Sequence, residues 1–169
     1  MAASTVALLL AGALGTVCAG EKGVPMELRT DAFSHEGIIP RRFADAGPSP
    51  AFTWSRVPAG TQAFAFIVDD PDAPGGTWIH WVLYDIPGTA QGLAEGRAPA
   101  GAKEGLNSWG RRGYGAPAPP PGRAHRYYFR LYALDRPTGL PPGADRGTVD
   151  RAMKGHVLGE ATWMGRYQR

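Results

Sequence analysis

Twenty-four glycines and sixteen prolines are scattered through a chain of 169 residues, and this density of helix breakers constrains the fold more than any other feature. Few stretches are long enough for an uninterrupted helix, whereas short strands joined by many loops fit between the breaks. A sheet protein is therefore expected. The apolar content, 43%, is ordinary for a soluble globular chain, and at this length it supplies a single core. No internal repeat is present.

Three segments carry strand signals. Residues 63–68 (AFAFIV) form a near-continuous apolar run, the pattern of a strand buried on both faces, and it stops at Asp69-Asp70-Pro71. Residues 77–86 (TWIHWVLYDI) are dense in β-branched and aromatic side chains and stop at Pro87-Gly88. Simple alternation puts Trp78, His80, Val82 and Tyr84 on one face, with Ile79, Trp81 and Leu83 on the other. In residues 126–134 (RYYFRLYAL), Tyr127, Phe129, Leu131 and Ala133 share a face, and Arg130 and Tyr132 point the opposite way. Between the last two strands, residues 96–123 form a long loop rich in Gly and Pro, nearly polyproline over 116–121; Trp109 and Tyr114 favour an ordered one. One helix is predicted over residues 145–156, with Val149, Ala152, Met153 and Val157 on a stripe and Gly159 as its stop.

The N-terminus stands apart. Residues 6–14 are uninterrupted apolar and small side chains, no charge precedes Glu21, and Val17-Cys18-Ala19 offers small residues for a signal peptidase. A signal peptide over residues 1–19, cleaved after Ala19, is expected, with one domain over 20–169 that is exported to the periplasm or secreted. The run is too short for a bilayer-spanning helix. A basic n-region is missing, and Cys18 opens a lipoprotein alternative against which Val17 argues. Cleavage there leaves no cysteine, and so neither a disulfide framework nor a thiolate metal site. The net charge is +3, with Arg preferred to Lys and no block of like charges, so the basic stripe of a nucleic-acid binder is lacking.

Polar signals cluster at Asp69, Asp70 and Asp72, at His80 inside an apolar strand, and at His125-Arg126-Tyr127. Each alone has a bland reading: Asp72 caps the turn or pairs with an arginine, and a lone strand histidine is a core residue satisfied by a hydrogen bond. Together they suggest more. His125 and Tyr127 share a face by alternation, and a pocket built from Asp70, His80, His125 and Tyr127 is geometrically reasonable. His35 falls in a polar loop, His156 near a helix end whose dipole suits a partly positive ring, and Trp54 and Trp163 in core or sheet.

At these residues the chain resembles a known family. DPDAPGGTWIHWVLYDIP followed by NSWGRRGYGAPAPPPGRAHRYYFRLYALD is similar to the two signature regions of the phosphatidylethanolamine-binding family, in its bacterial Raf-kinase-inhibitor-like branch. The likeness extends from about Met26 to Tyr167, including AMKGHVLGEATWMGRY. It implies a mainly β, sandwich-like fold, a large antiparallel sheet packed on a smaller one with a few short helices, and an anion pocket at one end. On matching positions Asp70, His80, His125 and Tyr127 would line that pocket. Trp78 and a wall from Ala116 and Pro117 to Pro120 would frame it, with Asp72, Pro74 and Arg126 as scaffold. The resemblance also suggests a cis proline near Pro74. Ala116 and Ala118 stand where relatives more often carry Gly and Cys, which alters the mouth.

Such a pocket suits a phosphate or a phosphoethanolamine-like headgroup between two imidazoles, with Tyr127 as a neutral donor. Asp70 beside a histidine is expected to raise the imidazole pKa and hold the ring charged near neutral pH. The expected function is an exported binding protein for a small anionic or zwitterionic ligand, without cofactor or metal. The resemblance adds a kinase- or protease-inhibitor-like role. Two alternatives stay open: a protein-interaction module acting through the Pro-rich loop, and a hydrolase using the Asp/His/Tyr cluster, against which the lack of a nucleophile or a Gly-x-Ser-x-Gly segment argues. The aromatic-rich strands also leave room for a homodimer.

Overall fold

Strand β3 (Ala63–Asp70) is buried along its whole length, as its apolar run predicts, because both of its faces are covered. The computed structural model describes residues 25–169; the expected signal peptide, its cleavage point at Ala19 and Cys18 lie outside the described residues. In chain order the described elements are β1 (Glu27–Arg29), a 3-10 turn (Arg41–Phe43), β2 (Phe52–Ser55), β3, β4 (Trp78–Pro87), β5 (Gly92–Leu93), β6 (Lys103–Glu104), β7 (His125–Leu134), α1 (Arg146–Met153) and β8 (Val157–Tyr167). The strands form a large antiparallel sheet in the order β6-β4-β3-β7-β8 and a small one in the order β1-β2-β5.

Side-chain size on β3 explains the layering. Phe64, Phe66 and Val68 project toward the small sheet and meet Leu28, Phe52, Trp54 and Leu93 there, together with Phe129 and Leu131 of β7. Ala63, Ala65 and Ile67 project the other way, where the small alanines let Val149 and Met153 of α1 close against the sheet beside Val82 and Tyr84. The large sheet is thus the middle layer, and the described residues form a mainly β fold with one α-helix.

The helix is shorter than the sequence suggested. Asp145 is its N-cap rather than its first residue, accepting a hydrogen bond from the Thr148 amide at 2.7 Å. It ends at Met153, two residues before Gly155, whose φ of 82° turns the chain; Val157 and Gly159 already belong to β8.

Alternation along β4 also fails, for a specific reason. Val68 lies opposite Trp81 but Asp69 lies opposite Ile79, which leaves His80 as the extra residue of a β-bulge. Ile79, Val82 and Tyr84 therefore face the helix layer, while Trp81 and Leu83 face the small sheet. His80 turns to that same side, where its ring meets Tyr127 edge-on at 5.2 Å between centroids. A second slip between Phe64 and Phe66 coincides with Asp85 at φ 52° and returns Ile86 to the inter-sheet core.

Phe66 is completely buried and packs against the rings of Phe52, Phe129 and Trp81 at 5.4, 6.4 and 6.3 Å. Phe66→Ala is expected to destabilise the fold by about 3–5 kcal/mol. Urea unfolding checks this as a lower midpoint at an unchanged slope.

Candidate functional site

At the end of β3 two successive carboxylates go to opposite faces of the sheet, and both are almost fully buried. Asp69 points to the helix side, where it accepts from Arg130 at 2.8 and 3.3 Å and from Arg146 at 3.3 Å. Asp70 points to the inter-sheet side. One of its oxygens accepts from the backbone N–H of Asp72 at 2.8 Å, closing the turn, and the other accepts from Nδ1–H of His125 at 2.8 Å. Asp72 is held by Arg126 through two side-chain bonds of 2.8 Å and one backbone bond of 2.9 Å. The Arg126 guanidinium lowers the Asp72 carboxyl from 3.8 to about 2. Each of the three carboxylates thus has its own cation or donor, and Asp72 and Arg126 act as scaffold.

The structure brings Asp70, His80, His125, Tyr127 and Trp78 around one cavity of about 320 Å³. Trp78 lies directly opposite Asp70 across the β3–β4 ladder, and His125 and Tyr127 come from alternate positions at the start of β7. The bulge supplies His80. Its Nδ1 lies 2.6 Å from the carbonyl oxygen of Gly115 and must therefore be the protonated nitrogen. Both rings share one logic: Nδ1–H is committed to a protein acceptor, and Nε2 is left as the uncommitted polar atom.

Of the four buried side-chain polar atoms without a protein partner among the described residues, two belong to residues lining this cavity: Nε1–H of Trp78 and the hydroxyl of Tyr127. Unpaired buried donors are uncommon, and both of these sit on side chains at the cavity. Burial, followed by the charge of Asp70, pushes the Tyr127 phenol well above its ordinary range, so it donates throughout the neutral range. The histidine that Asp70 bonds directly is His125, and His80 is governed by burial instead. Burial lowers its pKa below the usual 6.5, outweighing the Gly115 carbonyl and the charge of Asp70, whose direct hydrogen bond goes to His125.

The wall also differs from expectation. Ala118, Pro119 and Pro120 line the cavity, and Ala116 and Pro117 do not. The Pro117 carbonyl accepts from the Asp45 amide at 2.8 Å, and this bond ties that end of the loop to the 3-10 turn region instead. Pro74 lines the cavity along with Ala73, and all described peptide bonds are trans, so the suggested cis proline is absent.

Trp109 is the lining residue that sequence reasoning missed. It stands edge-on to Trp78 and His80 at 5.3 and 5.2 Å and lies over Gly115 so closely that a Cβ there would sit 2.2 Å from its ring. The aromatic residue in a Gly-rich loop signalled order, but nothing local showed which residue it would cover. Ser108 is structural: its hydroxyl accepts from the Ile79 amide at 2.8 Å. His156 pairs with Asp135 at 3.0 Å. Among the described residues no group of three or more His, Cys, Asp or Glu side chains is arranged to hold a metal ion.

Comparison with known proteins gives a consistent result. The family model described as phosphatidylethanolamine-binding protein matches residues 29–168. A UPF0098 protein of Methanothermobacter thermautotrophicus is 48% identical over 85% of this chain and 99% of its own length. One from Aquifex aeolicus is 44% identical over 87% and 91%. Among solved structures, E. coli YbcL, described as a member of the mammalian PEBP family, superposes with a TM-score of 0.81 at 28% identity, covering 86% of this chain and 99% of that one.

Two outcomes are expected from these contacts. Gly115→Ala displaces Trp109 and should weaken pocket binding more than it lowers the unfolding midpoint, measured by titration and urea denaturation on the same preparation. Asp72 has a depressed folded pKa, so its contribution is present above 3.8 and is lost as pH falls toward about 2. Asp72→Asn should therefore flatten the acid limb of stability within that window, as read from urea midpoints at successive pH values.

Proposed function

The chain belongs to the phosphatidylethanolamine-binding protein family, and on that premise we propose that it is an exported binding protein whose cavity takes a phosphate or a zwitterionic phosphate-bearing headgroup. The observation that carries this reading is the set of uncommitted polar groups carried by the residues that line the cavity. Trp78 Nε1–H and the Tyr127 hydroxyl are unpartnered donors, and the Nε2 atoms of His80 and His125 are the uncommitted ends of two anchored rings. A tetrahedral anion accepts from Tyr127 and Trp78 at any neutral pH and from Nε2 of a histidine once that ring is protonated. Asp70, which also lines the cavity, offers a carboxylate to the ammonium of a zwitterionic headgroup, and so suits a zwitterion better than a bare dianion.

Binding rather than catalysis fits the lining. Asp, His and Tyr are present, but the cavity has no Ser, Cys or Lys side chain to act as nucleophile. Ala118, Pro119 and Pro120 form the cavity wall, which favours a framing role for the Pro-rich loop over a docking one. The export reading is supported by the apolar run at residues 6–14 and the small residues at 17–19.

Because burial lowers the His80 pKa, an anion that needs a charged ring must bring a proton with it, and affinity is expected to fall as pH rises. Calorimetry with phosphoethanolamine from about pH 5.5 to about pH 8.5 covers the imidazole range. Tighter binding at the acid end, with loss of roughly tenfold or more in His125→Ala, is the expected result. Absence of binding at every pH would sink the proposal.

A further inference from the structure

On the far side of the wall formed by Trp109 and Ala118 lies a second cavity, of about 430 Å³, which contains neither histidine. Arg111 and Arg112 line it, and among the described residues neither guanidinium has a hydrogen-bond or ion-pair partner. The carboxylate at its rim, Asp45, is already neutralised by Arg169. Two exposed guanidinium groups, on consecutive residues, are therefore the uncompensated charges of this lining.

The turn that carries them is organised in advance. Asn107 is buried, its side-chain oxygen accepts from the backbone amides of Trp109 and Arg111 at 3.0 and 3.2 Å, and its amide donates to the Gly113 carbonyl at 3.1 Å. Gly110 and Gly113 bracket the two arginines at φ 70° and 103°, a conformation that a side chain would strain although the surrounding space is open. The turn fixes the backbone from which two exposed arginine side chains reach the cavity, so the ordering that opposes binding is confined to those side chains, whose planar forks bond oxyanions bidentately.

We infer that the Arg111/Arg112 cavity is a second oxyanion site, for a phosphate- or sulfate-type dianion, separated from the histidine pocket by Trp109 and independent of it in charge state. The inference does not rest on the reading of the first pocket. Guanidinium groups stay protonated across the accessible pH range, whereas imidazoles do not. The two sites therefore differ in their response to pH.

Sulfate is the probe, because its own charge is constant over the titration. Binding is followed by carbon-detected NMR of the arginine Cζ atoms and by calorimetry in low-salt buffer. At about pH 8.5, well above the imidazole range, sulfate should shift Arg111 and Arg112 saturably. His125→Ala should leave that response intact. Arg111→Ala combined with Arg112→Ala should weaken binding roughly tenfold or more. Neither side chain supports the fold, and an unchanged unfolding midpoint verifies this. Non-saturable shifts at the arginines, or a double variant that binds as the parent does, would overturn the inference. Loss of phosphoethanolamine binding with retention of the sulfate site would count against the first pocket alone.

Discussion

A carboxylate buried in a sheet must be met by a donor or a cation, and here two such groups follow one another at the end of the central strand. Strand alternation sends them to opposite faces. Asp69 draws in Arg130 from the neighbouring strand and Arg146 from the first turn of the helix, and so ties the helix layer to the sheet. Asp70 draws in His125 and the amide of Asp72, and so sets both the turn and one wall of the cavity. Helix docking and pocket assembly are thus two consequences of one dipeptide.

The second half of the cavity depends on a break in regularity. Were β4 a plain strand, His80 would sit on the helix side with Val82 and Tyr84. The bulge rotates it toward Tyr127, and the Gly115 carbonyl then holds its tautomer. Gly115 serves twice, since its lack of a side chain also admits Trp109. Burial lowers the His80 pKa, so the site offers two neutral donors at all times and adds charge-assisted ones on acidification.

Membership of the phosphatidylethanolamine-binding family and the likeness to YbcL account for the two-sheet architecture. They leave open what distinguishes this chain. The 107–120 loop supplies lining to two cavities, with Trp109 and Ala118 shared between them and Arg111 and Arg112 in the second alone.

Composition and local pattern alone decided that the chain is a sheet protein with a buried central strand, because Gly and Pro density and an unbroken apolar run act through the backbone nearest to them. The signature segments also named Asp70, His80, His125 and Tyr127, which the structure brings around one cavity. The face His80 occupies, which prolines form the wall, where Trp109 lies and whether a histidine is charged belonged to tertiary structure. Register between distant strands, the close approach of one loop to a glycine carbonyl and the depth of burial are relations between segments far apart in the chain. No window of sequence contains both partners of such a relation.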